Sequence, residues 1–379
     1  MAFVSGPRQV GKTTVSLDLS DFYFDWDNVN HREMMLAGPK SIAGACGLDV
    51  LKGKKPVISF DEVHKYSKWK DLLKGFFDTY GGGVLIIVTG SSRLDVFRKG
   101  GDSLMGRYFL YRMHPLGVSE LAGIHSLDEL LRDPIPIADE DFDALWNYGG
   151  FPEPFVRRND RFHRRWKRLR NQQLFKEEVR ELTRVQELSQ LEILGKLLAS
   201  RSGEQIRYSG LARTIRINDK TVRNWVAHLV SLHYGFLVMP WYRNVSRSLR
   251  KEPKWYLRDW SDVRDAGKKA ETFVACHLLK AVEGWTDLGL GSFELRYIRD
   301  KDKREVDFVV IRDEEPWFLV EVKRSSMSPS AQLEYFQKST GCSHAFQVVT
   351  ALDFVGADCF ERNEPVVVPA RTFLSQLTV

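Results

Sequence analysis

The sequence is short of the residues and runs that mark several common protein classes. Four cysteines, Cys46, Cys276, Cys342 and Cys359, are scattered through 379 residues, with no C-x-x-C pair. That argues against a disulfide framework and a cysteine-ligated zinc site. The longest unbroken aliphatic run, Val84–Val88, falls far below the ~20 residues a membrane helix needs. No charged-then-apolar stretch of the signal-peptide kind opens the sequence. The expectation is a cytoplasmic protein in a reducing compartment, with no membrane partner. Nine histidines show neither H-x-x-x-H nor H-E-x-x-H spacing, and no G-x-S-x-G elbow occurs, which sets aside zinc and serine hydrolases. Repeats of 20–50 residues and low-complexity tracts are absent, which sets aside solenoids and propellers. The aromatics form no single-strand-binding pattern, and Trp225, Trp255 and Trp260 are expected in the core.

What is present is the composition of a folded globular chain: 43% hydrophobic and 28% charged residues, which excludes disorder and fibrous architecture. Lys plus Arg number 56 against 50 Asp plus Glu, a net charge of +6. That permits an anionic partner without requiring one. The length suits two or three domains. Up to about Pro115, strand-like runs (Ala2–Val4, Tyr23–Asp25, Val57–Phe60, Val84–Thr89, Tyr108–Arg112) alternate with helical stretches, the pattern of an α/β unit with a parallel sheet. Leu116 to about Val185 reads as helical.

Gly6-Pro7-Arg8-Gln9-Val10-Gly11-Lys12-Thr13 fits G-x-x-x-x-G-K-[ST] at every fixed position, between an apolar strand and the helix-compatible run Thr14–Leu19. Glycines 6 and 11 let backbone N–H groups curl around phosphate oxygens, and the following helix start adds positive potential. Lys12 is expected at the β- and γ-phosphates of ATP and the Thr13 hydroxyl at Mg²⁺. A second apolar strand, Val57–Phe60, runs into Asp61-Glu62. Asp61 is the expected metal carboxylate and Glu62 the general base. The next strand ends at Thr89-Gly-Ser-Ser92, which offers Ser91, and after it Thr89, as γ-phosphate sensor. Arg107, before the last strand, has two readings: an arginine reaching the γ-phosphate of a neighbouring subunit, or a structural ion-pair arginine.

Three further segments carry charge. Arg157 to Arg170 holds eight Arg or Lys against one Asp, either a solvated helix face or a phosphate-binding one. Gly210–Asn218 leads into Asp219–Leu229, with Asp219 as N-cap and Val222, Trp225, Val226 and Leu229 at helical spacing. With the strand Gly235–Pro240 this reads as a winged helix-turn-helix. Lys220, Arg223 and Asn224 would sit early on its recognition helix, and Arg243, Arg247, Arg250, Lys251 and Lys254 would form a basic wing. Finally, Arg304–Val310 and Trp317–Lys323 flank the turn Asp313-Glu-Glu-Pro316 as a hairpin. Glu321 and Lys323 project from one face of their strand. With Asp307 opposite them, and Glu271 as a third carboxylate, the set could hold Mg²⁺ or Mn²⁺ for phosphodiester hydrolysis. The other reading is a recognition module whose charges pair among themselves.

Taken together, Gly6–Thr14, Phe60-Asp-Glu-Val63, Thr89-Gly-Ser-Ser92, Leu104-x-Gly-Arg107 with Pro115-Leu116 and Glu120, and Gly149-Gly-Phe-Pro152 resemble the bacterial and archaeal AAA+ superfamily ATPases that carry a C-terminal domain of unknown function. The resemblance spans essentially the whole chain. It implies a phosphate-loop core, a helical lid, a winged helix and a restriction-nuclease-like end, and the C-terminal segments resemble the PD-(D/E)xK nuclease core. Two departures stand out. The sequence begins five residues before Gly6, where relatives carry an upstream segment that helps close the nucleotide site. Lys176-Glu-Glu-Val-Arg180 stands where they show an Arg-Asp pair, so no role is carried onto it.

The resulting expectation is an α/β protein: a P-loop NTPase (AAA+-like) core at 1–114, a helical lid at 115–185, a winged helix at 186–245 and an α/β nuclease-like domain at 255–379. Its cofactors would be ATP and Mg²⁺, held by residues 6–14, including Pro7, Arg8, Gln9, Val10 and Thr14. Its function would be ATP hydrolysis driving a switch, with DNA or a protein as partner and an oligomer as one form of assembly. The alternatives are an ATP-gated, metal-dependent nuclease and a nucleotide-gated binding module with little turnover.

Overall fold

A computed structural model describes residues 1–50, 53–90, 104–123, 127–179, 187–242 and 252–378, the side chain of residue 177 excepted. The chain divides into two units, Met1–His114 and Pro115–Val379.

The first unit runs β1 (Ala2–Ser5), α1 (Lys12–Leu19), β2 (Phe22–Asp25), α2 (Val29–Leu36), α3 (Pro39–Ala45), β3 (Val57–Asp61), α4 (Trp69–Tyr80), β4 (Leu85–Thr89) and β5 (Phe109–Arg112). The five strands form one parallel sheet in the order β2-β3-β4-β1-β5. Strands this apolar suit a sheet covered by other layers. Phe3, Phe24, Ile58, Phe60 and Val88 pack in one core with Leu73 and Phe76 of α4. Helix α4 joins it because Trp69, Leu72, Leu73 and Phe76 recur at i, i+3, i+4 and i+7. The chain leaves β1 for β2 at the far edge and later returns to β5 on the other side of β1, so β1 marks the place where strand order reverses. Ligands of open parallel sheets bind beyond the carboxyl ends of the strands at such a point. Register sets Asp25 beside Asp61, Asp61 beside Thr89, and Ser5 beside Arg112.

The second unit runs α5 (Val118–Ala122), α6 (Asp139–Tyr148), α7 (Pro152–Arg157), α8 (Asp160–Gln173), α9 (Leu188–Ser200), β6 (Glu204–Gln205), α10 (Tyr208–Ile215), α11 (Asp219–Ser231), β7 (Gly235–Pro240), β8 (Lys254–Leu257), α12 (Ala266–Asp287), β9 (Phe293–Arg299), β10 (Glu305–Arg312), β11 (Glu315–Lys323), α13 (Ala331–Thr340), β12 (His344–Val349), β13 (Val366–Pro369) and α14 (Ala370–Ser375). Its sheet has eight strands in the order β13-β12-β11-β10-β9-β7-β8-β6. Strands β10 and β11 form an antiparallel hairpin, and β7 meets β9 in parallel through Met239–Arg296 and Pro240–Tyr297.

Two features differ from the domain boundaries read in the sequence. The segment expected as a lid places Val118, Phe142, Leu145 and Phe155 in the same core as Phe273 and Leu278 of α12. Trp260 Nε1 donates to the Leu145 carbonyl at 2.7 Å. The apolar faces of α5–α7 are thus covered by the C-terminal layer. The strands of the expected winged helix likewise continue the C-terminal sheet instead of stopping near residue 245. Helices α9–α11 do have a core of their own, with Leu191, Leu211, Trp225 and Trp255. The N-cap of α11 is Asn218, whose side chain accepts from Thr221 N at 2.7 Å, and Asp219 is the first helical residue. Among the described residues no helix is long and apolar enough to cross a membrane.

Candidate functional site

The loop between β1 and α1 turns through three residues of positive φ, Gly6 (149°), Gln9 (63°) and Gly11 (105°). At Gly6 a Cβ would lie 2.3 Å from the Met113 carbonyl oxygen, so a side chain cannot be added without displacing backbone. Gly11 is the left-handed N-cap of α1. This alternation makes a concave run of backbone N–H groups suited to an anion. Lys12 is buried and folds back over the loop, donating to the carbonyls of Gly6 (2.9 Å) and Pro7 (2.7 Å). Val10 is buried, while Gln9, Thr13 and Thr14 are exposed and Arg8 is half-buried.

The carboxylate at the end of β3 is tied directly to this loop. Asp61 accepts from the hydroxyls of Thr13 (2.7 Å) and Tyr23 (2.6 Å) through Oδ2, and from Thr89 through Oδ1. Burial alone would push its pKa up, but the bonds from Thr89, Tyr23 and Thr13 outweigh that and hold it below the ordinary carboxylate value. An ionised carboxylate beside a threonine hydroxyl is an all-oxygen donor set, which fits Mg²⁺. Glu62 follows in the left-handed region (φ 54°, ψ 16°), a conformation that costs a non-glycine residue on the order of 1–3 kcal/mol and recurs at active sites. Its backbone N–H bonds Thr89 O at 3.1 Å, and its side chain pairs with Lys65 at 3.3 Å. Burial raises the Glu62 pKa, Asp61 adds to the rise, and Lys65 and Lys12 oppose it.

Tyr23 was not singled out in the sequence. Its only signal is the register: two residues before the end of β2, on the strand next to β3, a long phenol reaches the Asp61 carboxylate. Thr89, the second sensor candidate, contacts Asp61. Ser91, the first, lies outside the described residues. Arg107 is not brought to the loop. It precedes β5 at the edge where the chain starts, its carbonyl accepting from the Met1 amino group at 2.9 Å. Four residues of β1, roughly 13 Å of strand, separate that edge from the loop. Its guanidinium is held by Asp78 at 2.7 and 3.2 Å. At the loop end of β5 stands Arg112, paired in register with Ser5.

In the second unit Glu271, Asp307, Glu321 and Lys323 do converge, with a further member from β8. Asp307 accepts from Val322 N, the backbone between Glu321 and Lys323, at 3.0 Å. Lys323 pairs with Glu321 at 2.7 Å. Burial opposes the Lys323 charge, but Glu321, Asp307 and Glu271 raise its pKa. The added residue is Lys254, expected as part of the basic wing. It is 4% exposed at the side chain and sits 3.0 Å from Glu271, 2.6 Å from Glu305 and 3.2 Å from Asp307. Burial works against its charge, yet Tyr256, Asp307, Glu271 and Glu305 hold its pKa well above the ordinary lysine value. Burial first, then Asp307, pushes Glu271 up to about 7. Among the described residues no group of three or more acidic, histidine or cysteine side chains is arranged to hold a metal. The Lys254 ammonium lies where Glu271, Glu305 and Asp307 meet.

The other basic segments divide by face. On α8, Lys167 and Arg170 turn inward to Asp262 and Asp259. Arg161, Arg164, Arg165 and Arg168 are exposed at i, i+3, i+4 and i+7. On α11, Lys220 and Asn224 are exposed, while Arg223 is paired with Asp219 at 3.0 Å and lies over the Tyr208 ring. Arg243, Arg247, Arg250 and Lys251 lie outside the described residues.

Comparison with known proteins matches residues 1–122 to the family model described as an AAA domain. Residues 139–264 and 266–370 match two models described as domains of unknown function, DUF8612 and DUF4143. The first 122 residues are thus AAA-like, a nucleotide-binding module of the P-loop ATPase type at the level of the family. Two curated relatives, uncharacterized proteins of Mycobacterium bovis and Mycobacterium tuberculosis, are each 23% identical over 263 residues, 68% of this chain and 54% of theirs. The chain spans about half the length of the curated relatives it matches.

Proposed function

We propose that the first unit binds ATP with Mg²⁺ and hydrolyses it to ADP and phosphate, and that the nucleotide state switches the protein between two binding conditions. The observation that carries this reading is the Thr13–Asp61 hydrogen bond, which joins the loop helix to the carboxylate strand inside the sheet-end crevice. Lys12 would leave the carbonyls of Gly6 and Pro7 for the β- and γ-phosphates, and backbone N–H groups of residues 6–14 would take their oxygens. Mg²⁺, held by Thr13 and Asp61, would supply charge neutralisation at those phosphates. Glu62 would accept the proton of the attacking water as its oxygen bonds to the γ-phosphorus and the bridging P–O bond breaks, the electron pair leaving with ADP. A raised pKa suits that role, since a stronger base takes the proton more readily. Ser91 stays a proposed sensor, joined by Thr89. For Arg107, the pair with Asp78 favours the structural reading. Steady-state hydrolysis tests the proposal: magnesium-dependent turnover lost in both Lys12→Ala and Glu62→Gln supports it, and wild-type turnover in either sinks it.

A second observation bears on the C-terminal unit. The ammonium of Lys254 among Glu271, Glu305 and Asp307 favours the nuclease-like layer as a recognition module over an active nuclease. Helices α10 and α11 would then serve as a winged helix at DNA, with Lys220 and Asn224 toward it. Cleavage of DNA with added Mn²⁺ would reverse that preference.

A further inference from the structure

A cavity of about 570 Å³ opens in the second unit beside β6, α10 and β9, lined by Arg201, Gln205, Arg207, Arg213, Glu252 and Arg299, among others. Its charges are unequal: four guanidinium groups face one carboxylate. Arg207 pairs with Glu252 at 3.0 Å, and Arg299 pairs with Glu305 at 3.1 Å. Arg201 and Arg213 have no ion pair or side-chain hydrogen bond among the described residues. The wall is also braced. Gln205 bonds Arg299 through Oε1 at 3.2 Å and the Tyr297 hydroxyl through Nε2 at 2.9 Å, and that hydroxyl donates to Glu252 O at 2.6 Å. Two unpaired guanidinium groups in a concave, braced wall call for an anion, and their planar forks match phosphate oxygens.

We propose that this cavity binds the phosphodiester backbone of a nucleic acid. The cavity is far larger than a single phosphate group needs. Its charged wall includes Arg213 on α10, the first helix of the α10–α11 pair. In helix-turn-helix docking the first helix crosses the phosphate backbone while the second faces the bases, so an arginine cavity on α10 lies on the element that meets phosphates. The cavity is also linked to the buried charge cluster, since Glu305 bridges Arg299 and Lys254. The inference deepens the nucleic-acid part of the proposed function and does not depend on ATP hydrolysis.

The test is fluorescence anisotropy of a labelled DNA duplex against the full chain without nucleotide, titrated with salt. Each phosphate neutralised contributes about −0.9 to the slope of log K against log salt. Arg201→Ala with Arg213→Ala should weaken binding at low salt and flatten the slope by about 2. Arg213→Glu alone, at an exposed position, should weaken binding in the same direction should the double variant fail to fold. Arg164→Ala with Arg168→Ala on α8 should leave the slope nearly as in wild type. The proposal is overturned if wild type does not bind duplex at low salt, if the cavity variants bind with the wild-type slope, or if the α8 variant takes the whole loss. Displacement of duplex by inorganic phosphate at fixed ionic strength would overturn it in favour of a small-anion site. The assay contains no ATP, so failure here is separate from failure of the ATPase reading.

Discussion

Lys254→Met isolates the buried cluster of the second unit. Methionine keeps most of the apolar stem, so the change removes a charge more than it removes packing. The ammonium is nearly inaccessible and lies within 3.2 Å of Glu271, Glu305 and Asp307. Deleting one side of a buried charge arrangement costs about 3–5 kcal/mol, because the remaining charges stay buried without compensation. For a unit of this size each kcal/mol moves the midpoint by about 2–4 °C, so the loss should be roughly 6–20 °C. The pH dependence has a definite sign. Glu271 has its folded pKa raised from 4.5 to about 7, so the native state binds its proton more tightly than the unfolded chain. Its charge therefore disfavours folding fully above about pH 7, and this penalty vanishes below about pH 4.5. Lys254 opposes that rise, so without it Glu271 should titrate higher still, and acid should relieve the variant. Thermal unfolding followed by circular dichroism at about pH 8 and about pH 5.5 is the assay. The deficit should be large at the first and markedly smaller at the second. An unchanged midpoint at about pH 8, or an equal deficit at both, would refute an electrostatic role for Lys254.

Further outcomes concern the first unit. Lys12→Ala should abolish tight ATP binding by calorimetry, since it removes the loop's cation at the β- and γ-phosphates. Glu62→Gln should bind ATP as wild type does but turn over about 10²–10⁴-fold more slowly, the usual weight of a general base. Because the Glu62 pKa is raised, turnover should fall on acidification at a higher pH than for an ordinary glutamate. Lys65→Met, which removes a cation that stabilises the carboxylate, should move that limb higher still; an unmoved limb in the pH–rate profile counts against Glu62 as the base. If Arg107 only holds Asp78, Arg107→Ala alone should keep hydrolysing ATP; an inactive Arg107→Ala whose activity recovers on mixing with Lys12→Ala would instead place it at a neighbour's nucleotide.

The phosphate loop was legible because its chemistry is local. Eight consecutive residues, a strand before and a helix after, carry the turn, the cation and the hydroxyl, and the Asp61-Glu62 pair announces itself at the end of an apolar strand. The parallel layout of the first unit followed from the alternation of short apolar runs with helices. The hairpin of β10 and β11 was readable from two such runs around a turn. Spacing could also bring Glu321 and Lys323 to one face, because alternation along a strand is fixed by the backbone.

Other features depended on where distant segments meet. Tyr23 reaches Asp61 only because β2 and β3 are neighbours in a particular register, and a tyrosine in a strand carries no sign of that. Arg107 preceded the right strand but at its starting edge, and only strand direction tells one edge from the other. Lys254 looked like one more cation of a basic wing. Its burial arises from β8 entering the same sheet as β10 beside α12, which gathers Glu271 from α12 and Glu305 and Asp307 from β10 around it. The helices after Pro115 showed apolar faces in the sequence but not what covers them. Packing against α12 decided that, because an amphipathic helix records that it must be buried and leaves the choice of partner to the rest of the fold.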